Sequence, residues 1–119
     1  MVLDEYVLSE IENHNLANSN VRDLTEEVKS LISSGSLKDE ERATAYFSLG
    51  KLFEPKLKGY FQNRLKLEVE KNTVAIYQLL ICLDNIDKPV FGADRNGSYS
   101  YNDYELNLRD ARQYIKNET

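Results

Sequence analysis

The chain has 119 residues, 41% of them hydrophobic and 29% charged, with a formal net charge of −5. That balance describes one folded domain rather than a disordered chain. The acidity works against nucleic-acid binding, which rests on Lys and Arg neutralising phosphates, and favours the approach of a basic protein partner. With 2 Pro and 5 Gly, and with long periodic segments, the expected fold is all-α.

In chain order, Leu3, Tyr6, Val7 and Ile11 recur at helical spacing and predict a helix over 3–14. The turn-forming run from His14 to Asn20 breaks it, and a second helix is expected from about Asn20 to Ser33, with Val21, Leu24, Val28, Leu31 and Ile32 inward and Gly35 as its left-handed stop. These two make an N-terminal hairpin over 3–34. A third helix begins near Lys38 or Asp39, with Asp39, Glu40 and Glu41 in the first turn, where the helix dipole favours acids. It presents Ala43, Tyr46, Phe47, Leu49, Gly50, Leu52 and Phe53, and its small residues Ala43, Ala45 and Gly50 admit a close neighbour. Glu54 and Pro55 end it, because Pro disfavours helical geometry in the preceding residue. Pro55 opens a fourth helix, which carries Leu57, Tyr60, Phe61, Leu65, Leu67 and Val69 and ends between Glu70 and Asn72. Its Lys56, Lys58, Arg64, Lys66 and Lys71 read as a solvated outer face.

The fifth helix, from about Thr73 to Ile86, is apolar on nearly every side and is expected at the centre of the fold. Asp87, Lys88 and Pro89 end it. A loop follows from Val90 to Tyr101, with a tight turn at Asn96-Gly97. The last helix starts near Asn102 and buries Tyr104, Leu108, Ala111 and Ile115, with Tyr114 beside them.

Two of these stretches repeat. Residues 42–55 and 76–89 superimpose with an offset of 34 (89 minus 55), so that Ala43, Tyr46, Leu49, Leu52 and Pro55 fall on Tyr77, Leu80, Leu83, Ile86 and Pro89. A fixed period of this size marks a helical repeat. Leu49-Gly50 before Pro55, then Leu83-Asp84-Asn85-Ile86 before Pro89, resembles the HEAT-like α-helical repeat. The resemblance covers residues 38–115. It implies about six helices in antiparallel pairs, stacked right-handedly, with repeat-like units over 38–72 and 73–116. It also implies macromolecular binding along the stack; a few short HEAT-like proteins are antidotes to bacterial toxins, including toxins delivered by cell contact. The alternative expectation is a regulatory or scaffold subunit of a larger complex.

No reaction centre is expected. His14 is the only histidine and stands apart from Cys82, which reads as a small buried hydrophobe. Gly92 and Gly97 lack the Lys-Ser/Thr that follows a phosphate loop, so no cofactor is implied. Asp39, Glu40 and Glu41 pairing with Asp84 or Asp87 would make an acid/base or metal cluster, but the helix dipole explains such acids more simply. Asp94-Arg95-Asn96-Gly97 lacks the spaced acids of a calcium loop. Of 8 tyrosines, Tyr99, Tyr101 and Tyr104 crowd the last loop, with Phe91 just before. Tyrosine there serves either as an interface anchor or as a cover for the core; Tyr104 is assigned to the core. The expected contact surface is Asp84, Asp87, Asp94, Tyr99, Tyr101 and Asp103, meeting the basic cleft of a toxin. No nucleic acid and no membrane span is expected, since no apolar run approaches the roughly 18 residues a span requires. The chain's opening shows no secretory signal, and the expected compartment is the cytoplasm.

Overall fold

The computed structural model describes residues 25–118. The predicted helix over 3–14, the start of the second helix and His14 lie outside them. The described residues form five α-helices and two 3-10 turns, with no strand. α1 spans Thr25–Ser33, α2 Asp39–Gly50, α3 Lys58–Lys71, α4 Ile76–Ile86 and α5 Tyr104–Glu118. Short 3-10 turns, Pro55–Leu57 and Ala93–Arg95, precede α3 and α5 respectively.

The helix boundaries follow local chemistry. Gly35 takes φ +78 just beyond α1, as its position after Ser34 predicts. At the start of α2 the Lys38 N–H donates to the Glu41 carboxylate at 2.7 Å, which satisfies a donor the helix leaves open. α2 ends at Gly50, short of the expected Glu54-Pro55. Leu52 and Phe53 donate back to Leu49 and Gly50, and Phe53 takes φ +47, so the chain leaves the helix axis before the proline. The proline constraint is met at Glu54, which is extended at φ −96, ψ 109. α3 stops at Asn72, whose left-handed backbone (φ 53) accommodates the N–H bonds back to Glu68 and Val69.

α4 occupies the centre and packs against α2, α3 and α5. Leu79, Leu80 and Leu83 are fully buried, and Tyr46, Leu49, Phe61, Leu65 and Ala111 close around them. The close approach expected of α2 is real at Gly50: a Cβ built there would lie 2.6 Å from the Cys82 Sγ. The repeated positions also share their environments. Tyr46 and Leu80 are buried, as are Leu49 and Leu83, while Ala43, Tyr77, Leu52 and Ile86 are all partly buried.

Helix directions follow from contacts at the ends. Arg42, near the start of α2, meets Glu68, near the end of α3, so these two run oppositely. Lys58 at the start of α3 meets Asp87 just after α4, and these two are also opposed. The expected antiparallel pairing fails for the last pair. Asp87 accepts from Tyr114 at 2.8 Å and Lys88 pairs with Glu118, so the C-terminal ends of α4 and α5 lie together. Their N-terminal ends lie together as well, where Thr73, Ile76 and Tyr77 share a groove with Tyr104 and Asn107. The two helices are parallel because the connection 87–103 runs back along α5 before the chain turns into it.

Several expected burial assignments change with this geometry. Tyr104 is 57% exposed rather than in the core, and the buried stripe of α5 is Asn107, Asp110, Ala111 and Tyr114, with Leu108 and Ile115 only partly covered. Leu67 is exposed, while its neighbour Glu68 is buried. Arg64 leaves the expected solvated face and joins Glu68 inside.

Candidate partner-binding face

Two buried ions organise the structure, and one of them shapes the candidate site. The first is Glu68 of α3, on the apolar stripe begun by Phe61 and Leu65 and 1% exposed. Its carboxylate accepts from Arg42 through both oxygens (2.7 and 2.9 Å), from the Tyr46 hydroxyl at 2.6 Å and from the Thr73 hydroxyl at 2.7 Å. Arg64 donates to the Tyr46 oxygen at 2.8 Å. Burial alone would raise the Glu68 pKa, but these hydrogen bonds outweigh it and hold the carboxyl down at about 2. Burial, then the facing Glu68 carboxylate, pushes the Tyr46 hydroxyl far above its ordinary value. Arg42 also donates to Leu37 and Asp39, which ties the start of α2 to the same centre. Both oxygens of the buried carboxylate are thus engaged within the chain.

The second ion is Arg95, in the connection between α4 and α5. Its side chain is 1% exposed and pairs with Asp110 at 3.0 Å, with Asn107 at 2.9 Å and with Asp103 at 3.3 Å. The guanidinium lies 5.2 Å from the Phe91 ring and 5.6 Å from the Tyr99 ring, within cation–π range of both. Phe91 and Tyr99 stack on each other at 3.9 Å. Around them Gly92 N–H donates to Asp110, Asn107 donates to the Ser100 carbonyl, and Arg109 forks onto Asp94 at 2.8 Å through two nitrogens. The Arg95 carbonyl also accepts from the Ser98 N–H at 2.9 Å across Asn96 and Gly97, both at positive φ. That is the expected tight turn. The connection is thus bonded down along its length.

What it presents outward is tyrosine. Tyr101 is 58% exposed and Tyr104 57%. Together with Tyr77, Asn72, Thr73 and Asn107 they line a groove of about 230 Å³ at the N-terminal ends of α4 and α5. Of the loop tyrosines, Tyr99 stacks on Phe91 while staying 36% exposed, and Tyr101 stands out into solvent.

The four acids expected on the contact surface are all engaged within the chain. Asp84 accepts from the Val90 N–H at 2.9 Å, and Asp87 is held by Tyr114 and Lys58. Asp94 pairs with Arg109 and Asp103 with Arg95. The structure brings Asp94, Tyr99, Tyr101 and Asp103 together in the 90–103 connection, and leaves Asp84 and Asp87 at the other end of α4. Asp39 pairs with Arg42 at the opposite end of the fold, so no acid cluster forms with Asp84 or Asp87. Among the described residues no three His, Cys, Asp or Glu side chains converge to hold a metal ion. Cys82 is buried, and burial pushes its thiol up to about 12. No described helix is long and apolar enough to cross a membrane.

Sequence reading missed both buried ions. Glu68 had a signal, since it continues the spacing of Phe61 and Leu65. Asn107 and Asp110 had a weaker one, flanking Ala111 and Tyr114. Arg95 had none, because its burial depends on partners from another element. Comparison of the chain with protein-family models, with curated proteins and with solved structures found no match.

Proposed function

We propose that this chain is a non-enzymatic protein-binding module, and most specifically a cytoplasmic immunity protein that neutralises a toxin by covering its basic active-site cleft. The HEAT-like resemblance of residues 42–55 and 76–89 belongs to the same proposal. The observation that carries it is the pair Tyr101 and Tyr104, more than half exposed beside a connection that Arg95 fastens from within. Large aromatic side chains on a prearranged surface bind with little loss of conformational freedom, which is what interface anchors need. A net charge of −5 steers such a surface toward a basic partner. The contact residues proposed are Tyr101 and Tyr104, with Tyr99, Asp94 and Asp103 around them and Asp84 and Asp87 at the margin.

Coexpression with the product of the adjacent reading frame tests the reading. The expected result is restored growth and a one-to-one complex. Truncating Tyr101 to alanine should weaken that complex by about 2 kcal/mol or more. Copurification with a host assembly instead of a single toxin would favour the scaffold-subunit alternative. Substrate turnover by the purified chain alone would defeat both.

A further inference from the structure

We infer that Asn96 is a site of self-modification: it loses its side-chain amide through a cyclic imide, giving aspartate and isoaspartate, at a rate gated by the Arg95 anchor. The inference stands apart from the protein-binding reading and needs no second protein. Asn96-Gly97 is the only Asn-Gly pair in the chain, and both residues are exposed. The chemistry needs a backbone N–H that can reach the preceding asparagine side chain, and glycine, with no Cβ, obstructs that approach least. The Gly97 N–H makes no hydrogen bond among the described residues, and a Cβ built at Gly97 would have nothing within 4 Å.

The step balances with water as its only co-reactant. The Gly97 nitrogen attacks the Asn96 Cγ and gives up its proton, the Cγ–Nδ2 bond breaks, and ammonia leaves. Water then opens the imide. Breaking the bond to Cγ gives aspartate; breaking the bond to the main-chain carbonyl gives isoaspartate, whose backbone runs through Cβ and Cγ and is one methylene longer.

The folded turn holds this reaction back. Asn96 at φ 55, ψ 35 and Gly97 at φ 76, with the Ser98 N–H on the Arg95 carbonyl, make a type I′ turn. At that ψ the Gly97 nitrogen lies across the Cα–C bond from the Asn96 Cβ, whereas ring closure needs the two on the same side. The turn must therefore open first. It is pinned at both ends: Asn107, Asp110 and Asp103 hold Arg95, and Tyr99 stacks on Phe91 beside the Arg95 guanidinium. Residues 96–98 between the pins are exposed, and such a segment opens locally at far lower free energy than the whole fold. The isoaspartate product adds a carboxylate close to Asp94 in sequence and lengthens the chain, so the original turn cannot re-form and the stretch leading to Tyr101 shifts.

The test incubates the full folded chain in warm, mildly alkaline buffer and follows Asn96 by peptide mapping that separates isoaspartate from aspartate. The expected result is both products at position 96, with isoaspartate in excess, before any change at Asn63, Asn72, Asn85, Asn102, Asn107 or Asn117. Arg95→Met should react about tenfold faster, because the freed connection opens more often. Asp103→Ser removes one partner of Arg95 and should fall between Arg95→Met and wild type; it carries the comparison if Arg95→Met loses its helical circular dichroism. In urea all three should react at one common rate, since the turn is open in each. The inference is overturned by an Asn96 that stays intact while the chain in urea is converted, by aspartate without isoaspartate, or by earlier loss at another of these asparagines. Equal folded rates in wild type and in the folded variants would overturn the gating by Arg95.

Discussion

Glu68 and Arg95 are both buried ions, yet they hold different things together. Glu68 collects donors from α2, from α3 and from the turn into α4, so three segments meet on one carboxylate. Arg95 collects acceptors from α5 and the residues just before it, so it fastens one connection to one helix. The first is a keystone of the core. The second shapes a surface and leaves the core to the leucines of α4. A buried charge costs free energy unless it is paired, and the two differ in how fully that is done: Glu68 is held on both oxygens, whereas the Arg95 Nε has no partner among the described residues.

The sharpest way to break the contrast is Glu68→Ala. It strands Arg42 and the Tyr46 and Thr73 hydroxyls in the interior, and should cost about 3–5 kcal/mol in urea unfolding. Arg95→Met should cost less, about 2–3 kcal/mol, because the charged hydrogen bonds it removes tie down a single connection. Hydrogen exchange separates the two: Arg95→Met should speed exchange over 91–103 while leaving α2 and α3 protected, and equal acceleration in both regions would erase the distinction.

Gly50→Ala probes the apolar side of the same core. The new methyl meets the Cys82 Sγ, and overpacking of this kind costs about 1–3 kcal/mol. Adding Cys82→Ala should recover part of that loss, a coupling readable from a double-mutant cycle. Acid titration gives a smaller and more specific signal. The Glu68 pKa falls from 4.5 to about 2 on folding, so its contribution is complete above about pH 4.5 and declines as the pH drops toward 2. In Glu68→Gln that segment of the stability curve should flatten; an unchanged slope would mean other carboxylates produce it. The smallest effect is expected at Tyr101→Ala, within about 0.5 kcal/mol of wild type in stability, since its ring is mostly in solvent. A large loss there would show that the ring supports the fold.

These pairs also mark the reach of sequence reading. The positions 43, 46, 49 and 52 and their counterparts 77, 80, 83 and 86 could be assigned from spacing, because apolar side chains at helical period have one way to leave water. The Asn96-Gly97 turn was legible for a similarly local reason, as both residues tolerate positive φ. Tyr104 was misassigned because spacing alone put it on the apolar stripe of α5, whereas the parallel approach of α4 rotated that stripe onto Asn107, Asp110 and Tyr114. The candidate face was half legible. The tyrosine-rich stretch stood out by composition, but the groove it forms with Tyr77 and Asn72 required the connection to run back along α5.

By itself the sequence determined that the described chain is helical, where most helices begin, and that the segment from Ile76 to Ile86 lies at the centre, since periodicity and turn chemistry act over a few residues. Only the tertiary structure decided that α4 and α5 run parallel, that a glutamate and an arginine are sealed inside, and which tyrosines face solvent. A charge is stable in the interior only beside groups that pair with it, and for Glu68 and Arg95 several of those partners come from 8 to 26 residues away in the chain.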